Sequence, residues 1–298
     1  MYILANVIGL RVYSFRIYSD HVQQSLDSGG GPQDLHSFSS SFFKFYENNT
    51  FDNGDSKTFR SKLEAPAPNT VHGVLRYGRY GFGAEVEEVA TGKISYKRAP
   101  TEAETIPIYF RVWAKEGSSY GLIGIQSYGG LSCVDLVTSA LIDHYKRKFP
   151  DFNLTAKKLI PNDRAIYGGQ LVKKISFIKK QAPKASLRPK LRPDNCATVD
   201  LELSITPKQK GSFGKLIDID QRLEGTLLVD DIEHDGAFAT IRTGGSTKRI
   251  GVLGLSSSAG VIDVTNDVDL DLDRHPELNS IAGVFESHMA DFAANLGQ

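Results

Sequence analysis

Cysteine is almost absent from this 298-residue chain, with only Cys133 and Cys196. Two such residues make no disulfide framework, and without Cys and His pairs at short spacing they make no zinc ribbon or finger. A reducing compartment is therefore the expected setting. Long apolar runs are missing too, since none approaches the roughly 18 residues of a membrane span. The first ten residues are apolar, but no basic segment precedes them, Arg11 and Arg16 interrupt the next stretch, and no small-residue cleavage site stands out. They read as a first strand rather than a secretion signal. A cytoplasmic protein that does not enter a membrane is expected. Internal repeats, low-complexity tracts and complete catalytic motifs are absent as well.

Net charge is the last absence, because 35 basic residues balance 35 acidic ones. The balance hides a strong asymmetry. Residues 1–143 carry 13 Lys and Arg against 15 Asp and Glu, residues 144–215 carry 17 against 5, and residues 216–298 carry 5 against 15. Such a distribution points to a polyanion partner for the middle, or to attraction between the middle and the end.

The basic middle centres on residues 171–192, LVKKISFIKKQAPKASLRPKLR. Leu171, Val172, Ile175 and Ile178 share one face at helical spacing, while the β-branched and aromatic content argues for a strand, so the element type stays open. Pro183, Pro189 and Pro193 fix φ and remove donors, which predicts an extended arm from Gln181 to Asp194 rather than a helix or a central strand. Lys173, Lys174, Lys179, Lys180, Lys184, Arg188, Lys190 and Arg192 are the candidate nucleic-acid contacts, because cations in a row supply the sequence-independent part of such binding. The competing reading is a solvated linker.

The rest of the pattern predicts an α+β fold, a largely antiparallel sheet with a packed mid-chain helix and a long C-terminal helix. Residues 2–18 read as strand, and Ser37–Tyr46 as another short strand. From Val71 to Gly129 a meander of about four strands is expected, with Thr91-Gly92 as a hairpin turn. In it Ile106, Ile108, Phe110 and Val112 face one way, and Tyr109, Arg111 and Trp113 the other. Ser132, with Asp135 three residues on, predicts a capped helix whose buried stripe is Val134, Val137, Leu141 and Tyr145 and which Pro150 ends. FNLTAKKLI returns as a strand. Further strands are expected at VDLELSIT, at FATIRT and KRIGVLG around Gly244-Gly245, and over Val261–Leu272, where Asp263, Asp267, Asp269 and Asp271 share a face. The last helix starts near Pro276 and carries Leu278, Ile281, Phe285, Met289, Phe292 and Leu296. The expected division is an N-terminal antiparallel α+β part over 1–165, a basic connecting stretch over 166–195, and a C-terminal acidic α+β part over 196–298.

The candidate chemistry is sparse. Reading Asp267, Asp269 and Asp271 as the start of a calcium loop puts Leu272 where glycine is needed and Leu278 where the closing glutamate belongs. Asp200 and Glu202 share a strand face, but Ser204 follows where a nuclease would favour lysine. Cys133 lies at a helix start, yet His144 on the same helix is about 16 Å along it and out of reach as a base. Gly254–Ser258 lacks the last glycine of a hydrolase elbow. Arg76-Tyr77-Gly78-Arg79-Tyr80 and Tyr96-Lys97-Arg98 mix rings with cations, as a surface that stacks bases does. The expectation is a nucleic-acid-binding, non-catalytic accessory subunit of a multi-protein system such as repair or phage defence, with no metal and no cofactor. The alternatives are a protein-interaction or scaffold subunit that oligomerises through complementary charge, and a metal-dependent nuclease.

Overall fold

The computed structural model describes residues 7–129, 131–159, 167–184, 187, 193–194, 197–208, 211–219, 228–229, 232–234, 236–243, 246–254 and 261–296. They form a mixed α+β fold made mostly of antiparallel sheet. The first ten strands are β1 (Ile8–Ser19), β2 (Val22–Gln23), β3 (Phe51–Asp52), β4 (Lys57–Leu63), β5 (Thr70–Arg79), β6 (Ala84–Glu88), β7 (Lys93–Arg98), β8 (Glu104–Trp113), β9 (Gly121–Tyr128) and β10 (Phe152–Lys158). The others are β11 (Val172–Pro183), β12 (Thr198–Ile205), β13 (Leu228–Val229), β14 (Ile232–Glu233), β15 (Gly236–Thr243), β16 (Ser246–Gly254) and β17 (Ile262–Asp263). The helices are α1 (Leu35–Asn48), α2 (Val134–Lys148) and α3 (Leu278–Leu296). Two compact units interleave in sequence. Unit 1 comprises Met1–Arg11, Lys158–Asp267 and Ala290–Gln298, and unit 2 comprises Val12–Lys157 and Val268–Met289.

In unit 2 the strand order is β1-β9-β8-β5-β4-β3, with β2 and β10 also pairing β1. Alternation sends Phe15, Phe59, Leu75, Ile108, Phe110, Val112 and Ile125 to one face, where α1 and α2 cover them. Phe43 of α1 stacks on Phe110 at 4.0 Å between ring centroids, and Phe38 meets Tyr145 of α2 edge-on at 5.0 Å. The stripe Val134, Val137, Leu141 and Tyr145 is buried, as its spacing predicted. The capping box is not formed: the cap residue is Cys133, and Ser132 Oγ only accepts from the Val134 amide at 3.3 Å. Asp135 instead accepts from the Tyr13 hydroxyl.

Three expectations for unit 2 are corrected. Ser37–Tyr46 lies within helix α1, because Leu35, Phe38, Phe42, Phe43 and Tyr46 recur at spacings of three and four and bury one face. The meander is interrupted, since β5 pairs β8 directly from Thr70 opposite Trp113 to Arg79 opposite Glu104, and the hairpin β6-β7 forms a sheet of its own. The second face of β8 is covered too: Tyr109 and Arg111 are 2% and 8% exposed. Phe285 of α3 meets the Tyr109 ring at 4.9 Å, and Glu286 lies 3.4 Å from Arg111.

In unit 1 the order is β12-β11-β15-β16-β17-β1. Leu171–Lys180 resolves to strand because β11 has a partner on each side, β12 and β15, which satisfies its backbone groups. Pairing continues through Ala182 opposite Val199 and Pro183 opposite Thr198, past a bulge, so the expected arm begins as strand. Proline is tolerated there because it stands at the strand end, where no further donor is required. FATIRT and KRIGVLG pair as β15-β16, with Thr243 opposite Ser246, while Gly244-Gly245 lies outside the described residues.

The aspartate-rich segment is not one long strand. Only Ile262 and Asp263 pair, and the chain then turns, with the Asp267 amide donating to the Val264 carbonyl. Dense Asp, Asn and Thr favour such turns by bonding their own backbone. Asp271 does this, accepting from the His275 amide at 2.8 Å. Helix α3 starts at Leu278, two residues after Pro276, and buries Ile281, Phe285, Met289 and Phe292.

Helix α1 depends on its cap. Asp34 is 2% exposed, and its carboxylate accepts from the Ser37 amide at 2.8 Å and the Gly30 amide at 3.0 Å. Burial alone would raise its pKa, but these bonds outweigh burial and hold it below the ordinary value. The stabilisation is therefore present above the unfolded carboxylate pKa and lost as pH falls through the lower folded one. Asp34→Ala is expected to cost about 1 kcal/mol at neutral pH. In urea unfolding, the gap from wild type should close in strong acid; a gap that is constant with pH would refute the cap.

Candidate nucleic-acid interface

The polar face of unit 1 is built by register. Lys174 of β11 stands opposite Thr240 of β15, Thr240 opposite Arg249 of β16, and Arg249 opposite Asp263 of β17. On the outer side Ser176 stands opposite Ser204 of β12. The other face carries the apolar residues Ile175, Phe177, Ala237, Ala239, Ile250 and Ile262, all buried.

Arg249 is the hub of the polar face. Its guanidinium lies 3.3 Å from Asp263 and 3.6 Å from Glu202, and stacks 4.4 Å over the Phe238 ring. Lys174 reaches Glu202 at 3.7 Å. Burial would raise the Glu202 pKa, but bonding to Ser176, the Arg249 charge, Ser204 and Lys174 bring it below the ordinary value. Thr265 supplies Asp263 with an amide at 3.0 Å and a hydroxyl at 2.6 Å. Lys174, Thr240, Thr247, Arg249, Asp263, Asn266 and Asp267 line a cavity of about 250 Å³.

The eight candidate contacts have different surroundings. Lys173 donates to the Gly211 carbonyl at 3.2 Å, and Lys174 is held by Glu202. Lys179 is half-buried on β11, and Lys180 also lies on that strand. Lys184 follows the strand, its amide bonded to the Ala197 carbonyl at 3.0 Å. Arg188, Lys190 and Arg192 lie outside the described residues.

In the ring-and-cation segments of unit 2 the polar groups are mostly bonded within the fold. Tyr77 is 3% exposed in the core, and Tyr80 donates to Asp52 at 2.6 Å. Tyr96 donates to Glu102, Lys97 lies 2.7 Å from Glu85, and Arg98 is sandwiched between Glu104 and the Phe82 ring. The exposed cations of β4 and β5 are Arg60, Lys62, Arg76 and Arg79, with Arg60 and Arg76 directly opposite each other.

One basic, aromatic groove was not anticipated. Phe45 and Tyr46 of α1 and His144, Arg147 and Lys148 of α2 line a volume of about 450 Å³. The signal was present as His144, Arg147 and Lys148 at spacings of three and four on one helix face. In residue order alone that signal is the cationic end of a helix, because only packing brings α1 beside it.

A further feature missed in the sequence is a buried ion pair in unit 1. Lys248, 3% exposed on the apolar face, lies 2.7 Å from Asp291 and 5.6 Å over the Tyr167 ring. The Tyr167 hydroxyl also donates to Asp291 at 3.2 Å, and burial, then the Asp291 charge, push its pKa far up. Cys133 is 1% exposed, and burial raises its thiol to about 12, so it stays a packed thiol. Cys196 and residues 255–260 lie outside the described residues. Among the described residues no group of three or more His, Cys, Asp and Glu could hold a metal, and no helix is long and apolar enough to cross a membrane.

No protein-family model, curated protein or solved structure matches this chain.

The polar face makes a stability prediction. Arg249→Met leaves the Asp263 carboxylate, 6% exposed, without its cation. Breaking a buried pair from one side should cost about 3 kcal/mol. Arg249→Met combined with Asp263→Asn should recover most of that loss in chemical denaturation. A double variant as unstable as the sum of the two singles would show that the pair is not coupled.

Proposed function

We propose that this protein binds nucleic acid without cleaving it, as an accessory subunit of a multi-protein system such as repair or phage-defence machinery. The observation that carries this reading is an acid-free run. Between Asp163 and Asp194 the chain holds nine Lys and Arg and no Asp or Glu. A central strand, β11, carries four of these cations, Lys173, Lys174, Lys179 and Lys180. The bond from Lys173 goes to a neutral carbonyl, which leaves its charge to act on a phosphate. Lys174 is partly neutralised by Glu202 and contributes less.

Each cation that replaces a condensed counterion on duplex DNA adds about 0.9 to the slope of log affinity against log salt. Labelled duplex and single strands titrated across a salt series should therefore bind with steep salt dependence. Neutralising Lys173, Lys174, Lys179, Lys180, Lys184, Arg188, Lys190 and Arg192 together should flatten that slope by several units. A slope unchanged by the eight substitutions would rule out this reading. Products that need Mg²⁺ and vanish in Asp200→Ala would favour the metal-dependent nuclease instead.

A second reading, a protein-interaction subunit, is favoured by the hairpin β6-β7. Two strands alone are marginal in water, and this pair leaves Val86, Val89, Ile94 and Tyr96 at 51%, 92%, 42% and 49% exposure. Glu85 and Lys97 neutralise each other across it, and Val86, Ile94 and Tyr96 share one face, on which Glu87 stands opposite Ile94. Light scattering should then give a mass that rises with concentration and stays monomeric in Val86→Asp with Ile94→Asp. A wild-type mass that is monomeric at every concentration removes self-association.

A further inference from the structure

The groove between α1 and α2 in unit 2 holds three features that seldom occur together on a solvated surface. The first is an exposed ring: Phe45 keeps 51% of its surface in water, although Phe42 and Phe38, one and two turns back on the same helix, are buried. The second is a neighbouring flat ring, His144, 6.3 Å from Phe45 and 5.5 Å from Phe42 between centroids. Burial, then the charges of Arg147 and Lys148, hold its pKa below the ordinary value, so the imidazole is neutral at pH 7. The third is a pair of exposed cations, Arg147 and Lys148, in a groove whose lining contains no carboxylate.

Those cations complement the C-terminal dipole of α2, which accounts for their sign. It does not account for the exposed phenyl ring beside them. A bare ring costs free energy in water, and a ring next to exposed cations suits a ligand with an apolar flat part and an anionic part. Lys148 Nζ rests 5.2 Å over the Phe149 ring, which keeps the ammonium close to the groove wall. A volume of about 450 Å³ falls within the range of small-molecule sites and takes one base with its phosphate.

We propose that the α1–α2 groove binds single-stranded nucleic acid, stacking an unpaired base on Phe45 and His144 while Arg147 and Lys148 hold the adjoining phosphate. Duplex DNA keeps its bases inside the helix and offers the groove only phosphate. The groove therefore adds strand preference to the charge-driven binding proposed above, and it rests on that reading.

The test uses the full chain and a fluorescein-labelled oligo(dT) of about 12 nucleotides, within the span of known single-strand sites, beside a duplex of equal length. Phe45→Ser should weaken single-strand binding by roughly 5- to 100-fold, the effect of losing one stacked base, and leave duplex binding nearly unchanged. Arg147→Gln with Lys148→Gln should weaken both and lower the salt slope. Phe45 is half in solvent, so Phe45→Ser should fold; Phe45→Leu, which keeps apolar bulk but no ring, gives the same loss if stacking is the cause. Equal single-strand affinity in wild type, Phe45→Ser and Phe45→Leu overturns the groove while leaving the basic stretch in place. No binding of any strand by wild type at low salt overturns the functional reading and the groove with it. Displacement of oligo(dT) by poly-glutamate at matched charge shows that the groove reads charge alone, which also overturns the stacking assignment.

Discussion

Burial of aromatic side chains between α1, α2 and the sheet is the constraint on which unit 2 depends. Phe43 lies flat on Phe110, Phe42 meets Phe43 and Tyr46 edge-on, and Phe38 inserts between Tyr145 and Phe149. Rings of this size bury large areas and prefer offset or edge-to-face contacts, so they set helix position more narrowly than aliphatic packing would. The Tyr145 hydroxyl, deep in this seam, finds the Pro32 carbonyl at 2.6 Å and ties α2 to the loop that caps α1. With both helices placed, the surface where α1 meets the last turn of α2 is fixed, and the basic groove is a by-product of that packing.

Charge plays different parts in the two units. In unit 1 several cations are structural: Arg249 links β12, β16 and β17 through Glu202 and Asp263, and Lys248 ties the last turns of α3 to Tyr167 through Asp291. The expectation that the basic middle would be held by the acidic end meets a mixed pattern, because Glu202 belongs to the middle and Arg249 to the end. Cations bonded in this way stabilise the fold and are poor candidates for a ligand. Arg147 and Lys148 on the last turn of α2 are exposed, and Lys173 bonds a neutral carbonyl, so among the described residues these charges are not spent on a carboxylate.

Strands with strict alternation are legible from residue order alone. VDLELSIT and IPIYFRVWA appear as β12 and β8, and the Thr91-Gly92 turn lies between the paired strands β6 and β7. The failures share a cause. SFSSSFFKFY reads as strand by aromatic content and as helix by spacing, and only Asp34 capping together with the apolar sheet below decided for helix. The alternating Val and Asp of 261–272 satisfy a strand pattern, but β16 and β1 are there to pair only at Ile262 and Asp263.

The sequence by itself determined the α+β class, helices α2 and α3 and the concentration of cations in residues 144–215, because periodicity and composition are local properties. Tertiary structure alone decided which cations are consumed. Lys174 and Arg249 are far apart in the chain and meet Glu202 only through the register of four strands, and Phe45 meets His144 only once α1 and α2 share a core. Whether a charge is structural or available to a ligand depends on what lies within about 4 Å of it, and that proximity is set by packing rather than by the order of residues.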